Sequence, residues 1–138
     1  MTVFLDANIL FSASFTKSAI HEFLTVIAGA ARLVTSEYAV AEAKRNLTAK
    51  KPSNLADFEK FVKTIQLVPV QPFDPGVAIA EKDRPILCGA IACRASFLLT
   101  GDKKDFGHLY GKTVRGVKIM NVGLLVDELI ERGILRED

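Results

Sequence analysis

Thr2-Val3-Phe4-Leu5-Asp6 and Phe97-Leu98-Leu99-Thr100-Gly101-Asp102 decide the fold. Each is a short apolar run that meets an aspartate at or just past its end, and runs of this kind read as buried strands. In an open parallel sheet the carboxyl ends of the strands share one edge, and ligands bind there. Two more acids are placed to reach that edge, Glu42 within a predicted helix and Asp83 at a predicted helix start. Carboxylates gathered at one edge repel each other unless a cation joins them. The pattern therefore predicts a divalent metal site.

Working outward, strand and helix alternate. A short helix is predicted over Asn8 to Ser14, and a longer one over Ser18 to Ala30, where Ile20, Phe23, Leu24, Ile27 and Ala28 recur at helical spacing. Arg32 to Thr35 reads as a second strand, and Ser36 as the cap of a helix from Glu37 to Ala49. Pro52 stops that helix, Ser53 or Asn54 suits the cap of the next, and Leu55, Phe58, Phe61, Val62 and Ile65 form its apolar face. Leu67 to Val70, interrupted by Pro69, reads as a third strand at a sheet edge. Asp74-Pro75 predicts a short helix, and Asp83-Arg84-Pro85 opens another that runs through Arg94. Phe97 to Thr100 is the fourth strand, Lys118 to Val122 the fifth, and Gly123 to Arg132 the last helix. Strands alternating with helices imply an α/β fold of three layers, with a parallel sheet of about five strands covered on both faces.

Composition agrees. The chain of 138 residues is 49% hydrophobic and 25% charged, which suits one domain over residues 1–138 with a sizeable core. A net charge of +2 identifies no partner by itself. No apolar run approaches the roughly 20 residues that span a membrane, and no basic leader precedes an apolar stretch, so a cytoplasmic location is expected. Cys88 and Cys93 lie five apart in a helical pattern, about 140° apart around the axis. That geometry disfavours a disulfide, and both read as buried thiols.

Each acid also has a plainer reading. Asp6 and Asp83 suit helix caps, Asp102 and Asp105 suit a turn, and Glu42 suits a solvated helix face shared with Tyr38 and Arg45. The joint order is more specific: Phe4-Leu5-Asp6-Ala7-Asn8-Ile9-Leu10, a helical Glu42, Asp83 opening a helix, then Leu98-Leu99-Thr100-Gly101-Asp102-Lys103-Lys104-Asp105-Phe106. In that order and spacing the chain resembles the PIN-domain family of metal-dependent ribonucleases, and by size the small prokaryotic VapC-type toxins of toxin–antitoxin pairs.

The resemblance implies a strand order of 3-2-1-4-5. It implies that Asp6, Glu42, Asp83 and Asp102 are the catalytic, metal-binding acids, supported by Asn8, Thr100 and the additional acid Asp105, with Asp102 and Asp105 able to exchange roles. It further implies a magnesium or manganese cofactor, an RNA substrate, a small antitoxin partner and a homodimer. The helices at Ser18 to Ala30 and Leu55 to Ile65 are the candidate dimer contacts. Hard ions and carboxylate oxygens match independently of the resemblance.

Basic residues border the acids. Lys44, Arg45, Lys50 and Lys51 lie near Glu42, Lys82 and Arg84 flank Asp83, and Lys103 and Lys104 follow Asp102. Arg45, Arg84, Lys103 and Lys104 are the candidate RNA contacts, with Phe106 and Tyr110 as candidate stacking partners. His21 reads as an ordinary packed residue, while His108 could approach the substrate. Two alternatives remain open. One is an inactive PIN-like module that binds RNA or assembles with partners. The other is a haloacid-dehalogenase-like phosphatase, whose second acid would be expected where Asn8 stands.

Overall fold

Short apolar runs pair side by side because their backbone groups must be satisfied once buried. In the computed structural model, which describes residues 1–136, strand β1 (Thr2–Leu5) is the central example. Val3, Phe4 and Leu5 are fully buried, and the strand pairs in parallel with β2 (Arg32–Ser36) on one side and β4 (Phe97–Leu99) on the other. Beyond β2 lies β3 (Gln66–Val68), and beyond β4 lies β6 (Val117–Met120), both parallel. A two-residue strand, β5 (Thr113–Val114), pairs antiparallel with β6. The sheet order is β3-β2-β1-β4-β6-β5.

The predicted order of parallel strands is the observed one, with β6 in the place of the fifth strand. The sheet has six strands rather than five. The sixth escapes sequence reading because it is so short. Its hairpin turns on Arg115 and Gly116, both at positive φ (46° and 87°), the backbone of a tight two-residue hairpin turn. An arginine in the first position hides that signal.

Helices cover both faces. Helix α1 (Ala7–Ala13) follows β1, and α2 (Ala19–Ile27) starts on Ser18, whose side chain accepts from the His21 N–H. Helix α3 (Glu37–Lys50) starts on Ser36, which accepts from Ala39. The fully buried small residues Ala39 and Ala43 let α3 pack closely. Helix α4 (Leu55–Val62) follows a 3-10 turn over Pro52–Asn54. Asn54 does not cap it; its amide instead donates to the Ser14 carbonyl at 3.1 Å. Helix α5 (Arg84–Ala92) precedes β4, α6 (Lys103–Phe106) follows it, and α7 (Val122–Glu131) closes the chain from its Asn121 cap.

Asp74-Pro75 opens no helix. The Asp74 side chain accepts from the Gly76 N–H at 2.9 Å, and Gly76 takes a φ of 80°, so the chain turns instead. Cys88 is buried, whereas Cys93 is partly exposed, and both thiols are free. The expected burial of Cys93 fails because it lies at the end of α5 rather than on its core face.

Candidate metal centre

Register decides which side chains meet. Leu5 pairs with Leu99 across β1 and β4, so Asp6 and Thr100 leave the sheet together. Asp6 is only 4% exposed and both of its oxygens are engaged. Oδ1 accepts from the Ala7 N–H at 2.6 Å, capping α1, and Oδ2 accepts from the Thr100 hydroxyl at 2.7 Å. The capping reading and the site reading of Asp6 are therefore compatible. Thr100 Oγ1 also accepts from the Asp102 N–H at 3.1 Å, and Asn8 Oδ1 accepts from the Gly101 N–H at 2.9 Å. These bonds lash the start of α1 to the loop after β4. Two more hydroxyls steady the same edge: Thr35 donates to the Leu5 carbonyl at 2.7 Å, and Tyr110 to the Thr100 carbonyl at 3.2 Å.

Asp83, Asp102 and Asp105 form the tight cluster. Each offers a carboxylate oxygen within 4.8 Å of the others. Asp83 makes no side-chain cap to α5, and its Oδ2 is buried without a hydrogen-bond partner. Asp102 caps α6 by accepting from the Asp105 N–H at 3.1 Å. Asp105 also meets the Lys82 ammonium at 3.2 Å. Asp6 and Glu42 lie outside this group of three, but their charges are felt across the site. Burial raises the Asp6 pKa from 3.8 to about 6; the Thr100 and Ala7 bonds oppose that rise, and the Glu42 and Asp102 charges add to it. Burial likewise raises Asp83 from 3.8 to about 7, reinforced by its hydrogen bond to Asp105 and by the charges of Asp105 and Asp6. Asp105 moves the other way, held below the usual carboxylate range by bonds from Asp83 and Lys82. Without a cation, Asp83 therefore holds a proton more readily than Asp105 does.

A hard divalent cation fits these residues. The donors are all carboxylate oxygens, and the unpartnered Asp83 Oδ2 is a buried acceptor that lacks a counterpart. Of the acids singled out from sequence, the fold brings Asp83, Asp102 and Asp105 together, keeps Asp6 buried beside them, and leaves Glu42 half-buried on α3.

The basic residues divide. Arg45, Lys103 and Lys104 are exposed, whereas Arg84 is half-buried with an unpartnered Nε. Lys44 turns to Glu59 of α4 at 3.6 Å, and Lys50 lies 6.0 Å from the Phe11 ring centroid. Phe106 is fully buried, so it is core and cannot stack on a base. His21 Nδ1 bonds with the Ala13 carbonyl at 2.7 Å, which makes it a packing residue. His108 Nε2 bonds with the Ala78 carbonyl at 2.8 Å, pinning the segment that leads to Asp83. Tyr38 is the residue that sequence reading undervalued. Its hydroxyl donates to the Lys82 carbonyl at 2.6 Å, joining α3 to the turn before Asp83. The only available signal was its position one turn before Glu42.

The architecture matches solved structures. A chain of VapBC2 from Rickettsia felis, bound to a DNA fragment from its promoter, superposes with a TM-score of 0.66 at 19% identity, covering 88% of this chain and 98% of that one. The DNA-bound VapBC of Salmonella typhimurium gives 0.62 at 17% identity with the same coverage. The chain has the PIN-domain fold. A third PIN-fold likeness is to VapBC-1 from nontypeable Haemophilus influenzae, with a TM-score of 0.55 at 18% identity. No protein-family model and no curated protein matches the sequence. At these identities the likeness speaks for the PIN fold, and the chemistry rests on the side chains.

The site predicts an unusual pH response for the metal-free PIN domain. Asp6 and Asp83 bind protons more tightly folded than unfolded, so the stability they contribute is full below about pH 4 and is lost as pH rises through about 6 and 7. Groups held low, Asp105 and Glu128, act in the opposite sense but complete their change below this window. The melting temperature in EDTA should fall by several degrees between pH 5 and 8, and manganese at pH 8 should restore it. A flat or rising profile in EDTA would contradict the assigned proton affinities.

Proposed function

We propose that the chain is a metal-dependent endoribonuclease and the toxin of a toxin–antitoxin pair, folded as one domain in the cytoplasm. The observation that carries this reading is the cluster of Asp83, Asp102 and Asp105 oxygens within 4.8 Å, with buried Asp6 beside it. The likeness to chains of VapBC complexes supports the toxin half of the reading. No helix is long and apolar enough to cross a membrane among the described residues.

Asp83, Asp102 and Asp105 would hold a magnesium or manganese ion, with Asp6 and Glu42 completing the acidic wall. Such an ion supplies positive charge to a phosphate in reaction and acidifies water. The chain's own groups do the rest. Thr100 and the Ala7 N–H fix the Asp6 carboxylate, leaving it placed to orient a water and accept its proton. The water oxygen bonds to phosphorus, the bond to the leaving ribose oxygen breaks, and the proton ends on that oxygen or in solvent. Exposed Arg45, Lys103 and Lys104 can contact phosphates on either side.

An antitoxin and a second copy of the chain are the proposed partners. A groove of about 400 Å³ between α2 and α4, lined by Leu24, Ala28, Leu33 and Phe61, lies where the dimer contact is expected.

The test is cleavage of a generic single-stranded RNA. Cleavage with magnesium or manganese, abolished by EDTA and restored by excess metal, is the expected result. RNA binding without cleavage in either metal would replace the nuclease with a binding module. Hydrolysis of a small phosphate ester alone would indicate a phosphatase.

A further inference from the structure

We propose that Lys82 is a tethered cation that serves the acidic cluster in the metal-free chain and transfers to a substrate phosphate once a divalent ion takes over those acids. The inference deepens the nuclease reading and rests on it. Lys82 belongs to the 3-10 turn Glu81–Asp83, immediately before Asp83. Its backbone is anchored, because its carbonyl accepts from the Tyr38 hydroxyl at 2.6 Å. Its ammonium lies 3.2 Å from Asp105 Oδ2. One residue thus laces α3, the turn bearing Asp83, and α6, the elements that carry Glu42, Asp83 and Asp105.

The two ends of Lys82 differ in freedom. The side chain is 66% exposed while that of Asp105 is 14% exposed, so the acid is fixed and the lysine can leave. An exposed ion pair of this kind holds weakly and gives way to a stronger partner. A divalent cation on Asp83, Asp102 and Asp105 would consume the Asp105 charge that holds Lys82. The freed ammonium, still tethered by Tyr38, would remain beside the site where a phosphodiester must lie. Lysine is suited to that exchange, since its compact charge sits on a flexible stem and binds phosphate without a fixed geometry.

The test uses the full chain with two substitutions, Lys82→Met and Lys82→Arg. Manganese affinity is measured by calorimetry. Binding of a short labelled single-stranded RNA is measured by anisotropy, once in EDTA and once in calcium, a hard ion that suits the same oxygens. Removing a positive charge a few ångströms from the ion should tighten manganese binding in Lys82→Met by about three- to tenfold. Lys82→Arg, which keeps the charge, should bind manganese much as the native chain does. In calcium, Lys82→Met should bind RNA several-fold more weakly than the native chain; in EDTA the loss should be clearly smaller, because Asp105 then competes with the phosphate for Lys82.

Unchanged or weaker manganese affinity in Lys82→Met overturns the inference and leaves the nuclease reading intact. So does an equal loss of RNA affinity with and without calcium, which would make Lys82 a fixed contact. A native chain that binds no manganese overturns both.

Discussion

Replacing Asp83 with asparagine is expected to lower RNA cleavage by at least about 100-fold, the scale on which loss of one preorganised charge-stabilising group acts, while raising the melting temperature of the metal-free chain. The two effects have one cause. Asp83 is 4% exposed, its Oδ2 has no partner, and burial pushes its pKa from 3.8 to about 7. Above that pH the metal-free chain must hold an ionised Asp83 next to Asp105 and Asp6. Asparagine has the same shape and carries no charge, and its amide can donate toward Asp105. The strain that a cation would relieve disappears, and so does the carboxylate that would bind the cation. Functional sites commonly trade stability for activity in this way. Cleavage kinetics and thermal melts in EDTA at pH 8 check the pair of outcomes. Lower activity with a lower melting temperature would mean damage to the fold, and unchanged activity would remove Asp83 from the metal centre.

The second large effect lies beneath the site. Phe4 is fully buried on β1, two residues before Asp6, and its ring fills the space above Gly89 of α5. A Cβ at Gly89 would lie 2.9 Å from Phe4 Cζ, 3.0 Å from Cε2 and 3.1 Å from Val70 Cγ2. Glycine is required there by close approach of helix and strand, not by an unusual φ. Phe4→Ala should cost about 3–5 kcal/mol, and Gly89→Ala about 1–3 kcal/mol through overpacking. The residues are in contact, so their effects should not add. Phe4→Leu withdraws ring atoms from the Gly89 position, and Phe4→Leu with Gly89→Ala should therefore be more stable than the sum of the single changes implies. Urea denaturation of the four chains measures this coupling. Strict additivity would show that α5 shifts freely over β1. Because α5 begins immediately after Asp83, such a shift would also disturb the acidic cluster.

Much of this molecule is legible in its sequence. The apolar runs ending at Asp6 and near Asp102, the helical spacing of α2 and α4, and the caps at Ser18 and Ser36 are local features. Period, caps and turn residues act within a few neighbours, so one strand of text carries them. Alternation of strand and helix then leaves a parallel sheet as the economical way to satisfy the backbone and cover both faces. The acids at the strand ends follow directly. Some local signals misled. Asp74-Pro75 has the residues of a helix start, yet the Asp74 side chain closes a turn on Gly76 instead. Phe106 follows an acidic loop but points into the core.

By itself, then, the chain's order of residues determined the parallel sheet, its flanking helices and the edge at which the acids gather, because those depend on short-range periodicity and on backbone hydrogen bonding. Tertiary structure alone decided that Asp83, Asp102 and Asp105, rather than Asp6 and Glu42, crowd within 4.8 Å. It also decided that burial raises the proton affinity of Asp83 while Asp105 is held low, and that Tyr38 and Lys82 clasp the site. These outcomes turn on differences of an ångström or two and on how completely each carboxylate is buried. Strand register, crossover packing and the close contact of Phe4 with Gly89 set those distances, and each joins residues remote along the chain.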